Sequence, residues 1–148
     1  MTRQKNALTG YFVGPLTATA PEDITLELAH LIENVTNERD EEVEETAYYD
    51  GDGTPVQDIT SIKLGYTFEG LYDEEDPAQA FVAALEFETG DGTKCMFKQV
   101  RTDGFMYYGK ATITDIQTTG GEASEWAPFN CTITWDQIPT RVPIVQGP

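Results

Sequence analysis

The feature that most constrains the fold is an acidic segment inside the chain, NERDEEVEETAYYDGDGTPVQD, at residues 37–58. It contains nine acidic side chains and a single base, Arg39. A segment with so much like charge and so few long apolar side chains cannot be buried within its own domain. The residues on both sides alternate between apolar and polar, which is typical of strands. We therefore predict a long exposed loop that joins two long strands, and such loops are usually functional or disordered.

The charge of the whole chain argues against two classes of function. Its 148 residues are enough for a single domain, and they carry a formal net charge of −17. This acidity argues against binding to nucleic acid or to a membrane surface, because both require lysine and arginine. No apolar run is long enough to span a membrane, and the basic N-terminus lacks the apolar stretch of a signal peptide. We expect folding in a cytosol, with the acids providing solubility or a surface that does not adhere to a polyanion.

Alternating apolar positions predict a mostly antiparallel β fold. The stretch DITLELAHLIENV, residues 23–35, fits either a strand or a helical face, and we favour a long strand. A second long strand is predicted for DITSIKLGYTFEGLY, residues 58–72. Three more strands follow: TKCMFKQV, then FMYYGKATITDIQTTGG after a turn at TDG, and finally EASEWAPFNCTITWDQIP. In the last of these, four apolar residues share one face: Phe129, Cys131, Ile133 and Trp135.

One helix and two extended arms complete the expected organisation. The helix is predicted at residues 76–87, where Asp76 is a suitable N-cap, Pro77 takes the first helical position and Gln79 can close a capping box. Both ends of the chain contain prolines that interrupt β-like sequence. We predict an N-terminal arm at residues 1–20 and a C-terminal arm at residues 140–148. The predicted strands and helix do not alternate in the way that is typical of a parallel sheet.

No arrangement of residues indicates catalysis or a bound cofactor. Cys95 and Cys131 lie in strand-like runs and are predicted to be buried thiols, which could pair only if their strands were neighbours. The lone histidine, His30, is predicted to be a strand side chain that faces solvent or another subunit. The stretch DGDGTPVQD is not an EF-hand, because Pro55 and Ser61 replace the required glycine and glutamate. Weak Ca²⁺ binding and a catalytic pair of carboxylates remain open alternatives.

Several stretches together resemble the tail tube protein, or major tail protein, of long-tailed, siphovirus-like bacteriophages. They are, in order, GYTFEG, the helix DPAQAFVAAL, the hairpin around VRTDGF, and the strands YYGKATITDIQTTGG and EASEWAPFNCTITWD. The resemblance covers residues 48–139. It concerns a scaffold, since none of these stretches is a catalytic signature.

The resemblance implies a structural virion protein that is not an enzyme and has no cofactor. The implied fold is an antiparallel β-sandwich or partial barrel with one packed α-helix. Six copies would form a hexameric ring whose sheets join into a barrel around a DNA channel, and the rings would stack into a tail tube. The implied partners are further copies of the chain, a tape measure protein in the lumen, tail terminator and distal tail proteins at the ends, and transiting double-stranded DNA, without a membrane. Tubes of contractile tails and secretion systems share this fold.

The acidic loop is the predicted contact between subunits or rings. Its contact residues would be Glu38, Arg39, Asp40, Glu41, Glu42, Glu44, Glu45, Tyr48, Tyr49, Asp50 and Asp52. The bases predicted to receive it are Lys63, Lys94, Lys98, Arg101 and Lys110. We further expect acidic side chains in the channel to repel DNA. The alternatives are an acidic monomeric binding module that responds to Ca²⁺ and an enzyme that uses paired carboxylates.

Overall fold

Strands dominate the computed structural model, which describes residue 3 and residues 5–144. The remaining parts of the predicted terminal arms, residues 1, 2, 4 and 145–148, lie outside the described residues. In the described residues the strands and the helix are β1 (Gly10–Gly14), β2 (Leu26–Glu27), β3 (Ile32–Asn37), β4 (Asp40–Thr46), β5 (Val56–Lys63), β6 (Gly65–Leu71), α1 (Pro77–Ala83), β7 (Lys94–Val100), β8 (Phe105–Gln117), β9 (Pro128–Trp135) and β10 (Thr140–Pro143). Short 3₁₀ turns occur at Asn6–Leu8, Pro21–Asp23 and Gly90–Thr93.

Eight strands form one sheet, in the order β2-β1-β7-β8-β9-β6-β3, with β10 attached to the first part of β8. All of their pairings are antiparallel. The sheet is strongly curled, because Tyr11 on β1 and Phe68 on β6 have ring centroids 5.2 Å apart although three strands separate them in the sheet. The predicted mostly β fold, a partial barrel with one helix, is confirmed.

The concave side of the curled sheet holds the core. Phe97 and Trp135 pack with ring centroids 4.9 Å apart, and the indole nitrogen of Trp135 donates to the backbone oxygen of Phe97 at 3.0 Å. Helix α1 closes this side with its buried residues Ala78 and Val82. The predicted face of β9 is confirmed, since all four of its apolar residues are buried.

The helix begins as predicted but ends earlier. The Asp76 carboxylate accepts a hydrogen bond from the Gln79 amide at 3.1 Å, so the predicted N-cap is present. The predicted end at residue 87 is wrong, because α1 ends at Ala83. Beyond this point Leu85 and Glu86 bond to carbonyls three residues earlier, which tightens the backbone into turns. The predicted long loop at residues 37–58 is also wrong, because this segment contains strand β4 and the first residues of strand β5.

Both predicted long strands are interrupted. Residues 23–35 contain the end of a 3₁₀ turn, the short β2, a turn, and most of β3, and Leu31 adopts a φ of 59° that breaks any strand. Residues 58–72 are divided at Leu64 into β5 and β6, which belong to different sheets. Alternation of apolar residues showed that these stretches are extended, but it does not report where a chain changes direction.

The ends of the described chain join the sheet. Strand β1, within the predicted N-terminal arm, pairs with β2 on one side and β7 on the other. Strand β10, within the predicted C-terminal arm, pairs with β8 from Thr140 to Pro143. In the described residues, the prolines of these two segments therefore lie in or near paired strands and not in free arms. None of the helices in the described residues is long and apolar enough to cross a bilayer.

The acidic segment forms a β-hairpin. Strands β4 and β5 pair antiparallel as a separate two-stranded sheet, and only the residues between them, 47–55, form the turn. The backbone amide of Glu38 donates to the carbonyl of Gly65 at 2.9 Å, so the hairpin prolongs the β3–β6 pairing beyond the main sheet. We call residues 40–63 the distal arm and the eight-stranded sheet with α1 the body.

Candidate functional site

The distal arm has one face that carries apolar side chains. Val43 lies directly opposite Ile59, and residues that are directly opposite in an antiparallel pair share a face. Glu41 opposite Ile62 and Glu45 opposite Gln57 complete this face, and the Gln57 amide donates to the Glu45 carboxylate at 2.8 Å. We call Val43, Ile59 and Ile62 the apolar stripe.

A β-bulge creates the apolar stripe. Ile59 and Ile62 are three residues apart, so regular alternation would place them on opposite faces. The pairing shifts between Glu42 and Val43, which leaves Thr60 as the extra residue on β5. The hydroxyl of Thr60 donates to the Glu42 carbonyl at 3.3 Å. Sequence alternation alone therefore could not reveal this stripe.

The opposite face of the arm is acidic. Its cross-strand pairs are Asp40 with Lys63, Glu42 with Ser61, Glu44 with Asp58, and Thr46 with Val56. The arm as a whole has eight acidic side chains against one base. A face with this charge density resists burial, because each buried carboxylate needs a partner. The two faces of the arm thus differ in what they can contact.

The structure places the predicted contact residues along the whole hairpin. Glu38 and Arg39 connect β3 to β4, the next five acids lie on β4, and Tyr48, Tyr49, Asp50 and Asp52 lie in the exposed turn. The Asp52 carboxylate accepts from the Thr54 amide at 2.9 Å, and this bonding lowers the pKa of Asp52. Within residue 3 and residues 5–144, no three acidic, histidine or cysteine side chains are grouped so that they could hold a metal.

Two of the predicted receiving bases, Lys94 and Lys98, already bond within their own copy, and a third, Lys63, lies on the arm itself. Lys63 faces Asp40 in the arm, and Lys94 forms an ion pair with Asp136 at 3.2 Å. Lys98 donates to the carbonyl of Pro21 at 2.9 Å, and burial lowers its pKa. The structure therefore does not bring the predicted bases together as one receiving surface.

Two arginines form a different basic surface. The guanidinium of Arg101 lies 4.6 Å from the centre of the Tyr107 ring, and that of Arg141 lies 3.8 Å from the centre of the Phe105 ring. Because Arg141 is paired with Tyr107 across β10 and β8, both guanidiniums lie on the same side of the sheet. Both arginines are exposed. We call Arg101, Phe105, Tyr107 and Arg141 the arginine–aromatic end.

The sequence prediction included Arg101 among the receiving bases but did not include Arg141. The reason is physical: Arg141 is part of β10, whose stretch TRVPIVQGP was interpreted as an unpaired arm. No pattern within this stretch reveals that it pairs with β8. Lys110, the remaining predicted base, is exposed on the other side of β8, since β8 buries its neighbour Ala111.

A cleft of about 620 Å³ lies between β1 and β7 on one side and β3 on the other. Tyr11, Tyr66 and Gln99 line it, and the Gln99 amide donates to the Tyr66 hydroxyl at 3.0 Å. Burial raises the pKa of Tyr11. Arg101, which also lines the cleft, donates to Gln99 at 3.0 Å. The cleft therefore adjoins the arginine–aromatic end.

The face of the body opposite the core carries many threonines. Thr67 and Thr132 share a hydrogen bond at 3.0 Å across β6 and β9, and Thr112 donates to Asp136 at 2.6 Å. Thr134 lies opposite Thr112. We call this surface of β6, β9 and the second part of β8 the threonine face. Besides its hydroxyl groups this face carries the ion pair of Lys94 with Asp136, and the exposed Lys110 lies on the same side of β8 as Thr112.

The histidine considered for chemistry lies at the surface, whereas the two cysteines lie in the core. His30 is exposed in the turn between β2 and β3, so its predicted place in a strand is wrong, and its Nε2 lies 2.9 Å from the Asp73 carboxylate. Cys95 and Cys131 are buried and free, as predicted. Burial raises the pKa of Cys95 to about 12 and raises that of Cys131 as well.

Comparison with known proteins identifies the fold. No protein-family model matches the sequence, and no curated protein matches it. Among solved structures, a chain from the tail of an empty gene transfer agent particle, refined helically with sixfold symmetry, is similar with a TM-score of 0.70 and 13% identity over 93% of this chain and 98% of that chain. A chain from the virion of a native gene transfer agent is similar with a TM-score of 0.69 and 12% identity, over 95% of this chain and 99% of that chain.

A more distant likeness extends to injection machines. A chain of the sheath–tube complex of an extracellular contractile injection system gives a TM-score of 0.56 and 11% identity over 96% of this chain and 93% of that chain. A chain of the tube-terminating cap of an anti-feeding prophage has a TM-score of 0.57 and 13% identity, over 97% of this chain and 93% of that chain. The likeness that the sequence motifs predicted is confirmed at the level of the fold, and the chain has the fold of tail tube proteins.

Proposed function

We propose that the protein is the structural subunit of a tail tube, in which hexameric rings stack around a channel for double-stranded DNA. The observation that carries this proposal is the fold match over nearly the whole of both chains to a tail with sixfold symmetry. The role is mechanical and needs neither catalysis nor a cofactor. The protein would be made in the host cytoplasm and would act in the tail of the virion.

The distal arm supports assembly. All seven residues of β4 are exposed, and an isolated two-stranded hairpin is at best marginally stable in water. A neighbouring copy would supply the contacts that the arm lacks. Strand β3 is the terminal strand of the sheet beside the cleft, and a free sheet edge is a natural site for pairing with another chain.

The threonine face is the surface that we assign to the channel. Hydroxyl groups offer passing phosphates no fixed positive charge, and the charge of Lys94 on this face is paired with Asp136, which leaves the exposed Lys110 as a cation that phosphates could contact. The net charge of −17 on each copy adds repulsion that reaches about 8–10 Å at physiological salt. A ring of such subunits would therefore conduct DNA without retaining it. A channel potential that proved neutral or positive in the assembled tube would contradict this assignment.

The remaining partners follow from the same proposal. A tape measure protein would occupy the lumen during assembly, and tail terminator and distal tail proteins would close the two ends. The similarity to a tube-terminating cap supports the last point, because a related fold can cap a tube as well as form one.

Electron microscopy of the concentrated protein tests the proposal. The full-length chain should form rings or tubes. A variant in which an Asn-Gly turn replaces residues 40–63 should remain a folded monomer, because Asn-Gly favours the tight turn that would close β3 onto β6. Circular dichroism and thermal melting would establish that this variant is folded.

One result would count against the tube proposal, and another would count only against the role of the arm in assembly. A full-length chain that stays monomeric at every concentration, with a melting temperature raised by Ca²⁺, would favour the binding module instead. Rings formed equally well by the variant without the arm would show that assembly does not depend on the arm.

A further inference from the structure

We propose that the distal arm of one copy docks through its apolar stripe on the arginine–aromatic end of a second copy. This inference rests on the proposed self-assembly and specifies which surfaces meet. It answers a difficulty raised by the charge of the chain, since an acidic arm must bind a molecule that is itself strongly acidic.

The apolar stripe is the part of the arm that a partner can cover at least cost. Val43 is 47% exposed and Ile59 is 53% exposed, and they form a cross-strand pair. Covering them removes apolar surface from water. Covering the opposite face would instead bury Glu42, Glu44 and Asp58 close together, which is unfavourable without paired cations.

The arginine–aromatic end matches this stripe in both charge and chemistry. Arg101 and Arg141 lie on one side of the sheet, next to the rings of Tyr107 and Phe105. The rings can pack on the stripe. The guanidiniums can receive the carboxylates on the same face of the arm as the stripe: that of Glu45, which accepts a bond from the neutral Gln57 amide, and that of Glu41, which would add a second cation to its own ion pair with Arg39.

The other bases of the middle strands fit less well. Lys94 is already ion-paired with Asp136 at 3.2 Å, and Lys98 is half-buried and donates to the Pro21 carbonyl at 2.9 Å, whereas Arg101 is exposed and its bond within the copy is to the neutral Gln99. Lys63 belongs to the acidic face of the arm itself. In addition, the acids nearest in sequence to the two arginines are bonded elsewhere: Asp103 accepts a hydrogen bond from the Phe105 amide at 3.1 Å, and Asp136 pairs with Lys94.

The same pair of surfaces explains how contacts could repeat. The arm and the arginine–aromatic end are different parts of the chain, so one copy can give its arm to a second copy and receive the arm of a third. Such head-to-tail contacts generate rings when the rotation closes and filaments when it does not. This is the geometry that a tube requires.

Charge reversal in the full-length chain tests the receiving surface. Arg101→Glu with Arg141→Glu should raise the protein concentration needed for assembly by roughly tenfold or more, because the arm would meet like charge. Lys110→Glu, a charge reversal on the other side of β8, should have a much smaller effect than Arg141→Glu alone. Assembly would be followed by light scattering and sedimentation, with circular dichroism as a check on folding.

A matched pair of substitutions tests the arm. Val43→Ser with Ile59→Ser should weaken assembly strongly, whereas Val56→Ser should not, although Val56 is 49% exposed on the acidic face. Adding Glu41→Arg and Glu45→Arg to the double arginine variant should restore assembly. Rescue of this kind requires that the two surfaces meet, and a general loss of folding would not show it.

The outcomes separate this inference from the function on which it rests. If the unaltered chain assembles but the arginine and Val43 variants assemble equally well, the docking proposal is overturned and the tube proposal stands. If Lys110→Glu and Val56→Ser are as harmful as their counterparts, docking is again overturned. If the unaltered chain never assembles, both proposals fail.

Discussion

Strands β9 and β4 are similar in length but differ completely in where their side chains lie. In β9, alternate residues such as Phe129, Cys131 and Ile133 are fully buried. In β4 every residue is exposed, and five of the seven are acidic. Both strands pair through their backbones, so the comparison separates the ability to form a strand from the ability to be buried. The backbone determines whether a segment can be a strand, whereas the side chains determine whether the strand can be buried.

The distal arm is a strand pair despite its composition because it continues an existing one. Strands β3 and β6 are fixed in the body, and the bond from Glu38 to Gly65 carries their pairing outward. Strand β5 also supplies residues that favour extended structure, Val56, Ile59, Thr60 and Ile62. The arm therefore depends on the body, and the body need not depend on the arm.

The strongest test of this asymmetry compares two truncations to alanine. Phe97 is fully buried and packs against Tyr11, Phe68 and Trp135. Phe97→Ala should lower the free energy of unfolding by about 3–5 kcal/mol, since it leaves a cavity in the core. Val43→Ala, in the exposed arm, should lower it by less than about 0.5 kcal/mol.

Urea denaturation of the monomer, followed by tryptophan fluorescence, measures both values. Trp135 is in the core and therefore reports on the body. Equal losses for the two variants would show that the arm and the body unfold as one cooperative unit, which would remove the basis for treating them separately.

Two glycines provide a second comparison, with a smaller expected effect. A Cβ at Gly70 would lie 2.1 Å from the carbonyl oxygen of Leu31, where the backbone itself would have to move. Gly70→Ala should therefore cost about 1–3 kcal/mol, as overpacking does in other cores. Gly53 in the turn of the arm has a φ of 92° and open space around it, so Gly53→Ala should strain the turn and change the unfolding of the body little.

Thermal melting of the monomer measures both glycine variants. Gly70→Ala should melt at a distinctly lower temperature, whereas Gly53→Ala should melt close to the unaltered chain. An equal drop for Gly53→Ala would mean that the turn contributes to the stability of the body.

The sequence predicted the body better than the arm. The alternation in TKCMFKQV and in PFNCTITW identified β7 and β9, and Asp76 with Pro77 identified the start of α1, because these signals are local. The prediction of a loop at residues 37–58 relied on charge. Charge prevents burial, but it does not prevent backbone pairing, and the turn signal Asp50-Gly51-Asp52-Gly53 does not by itself show that the acidic residues before it pair with the residues after it.

The candidate site could likewise be predicted only in part from the sequence. The acidic segment is predicted as a contact element because a long acidic insertion is visible in the sequence and because the family resemblance implies such a contact. Its apolar stripe depends on the bulge at Thr60, and the arginine–aromatic end depends on Arg141 pairing with Tyr107. Both are relations between strands, which a single sequence does not record.

The reactivity of the native thiols, which lie in the body, can be compared with that of a thiol in the arm without any substitution in the core. Cys95 and Cys131 are fully buried, and burial raises the pKa of Cys95 to about 12. At a mildly alkaline pH both thiols therefore stay protonated in the folded chain, whereas an exposed cysteine, with an ordinary pKa of about 8.5, is partly thiolate. Labelling of the native thiols with a thiol reagent should be slow and should accelerate with added urea. A cysteine introduced by Val56→Cys should react at the rate of a free thiol without any urea. Fast labelling of Cys95 or Cys131 in the folded chain would mean that the body opens as readily as the arm, and the contrast between the two regions would be lost.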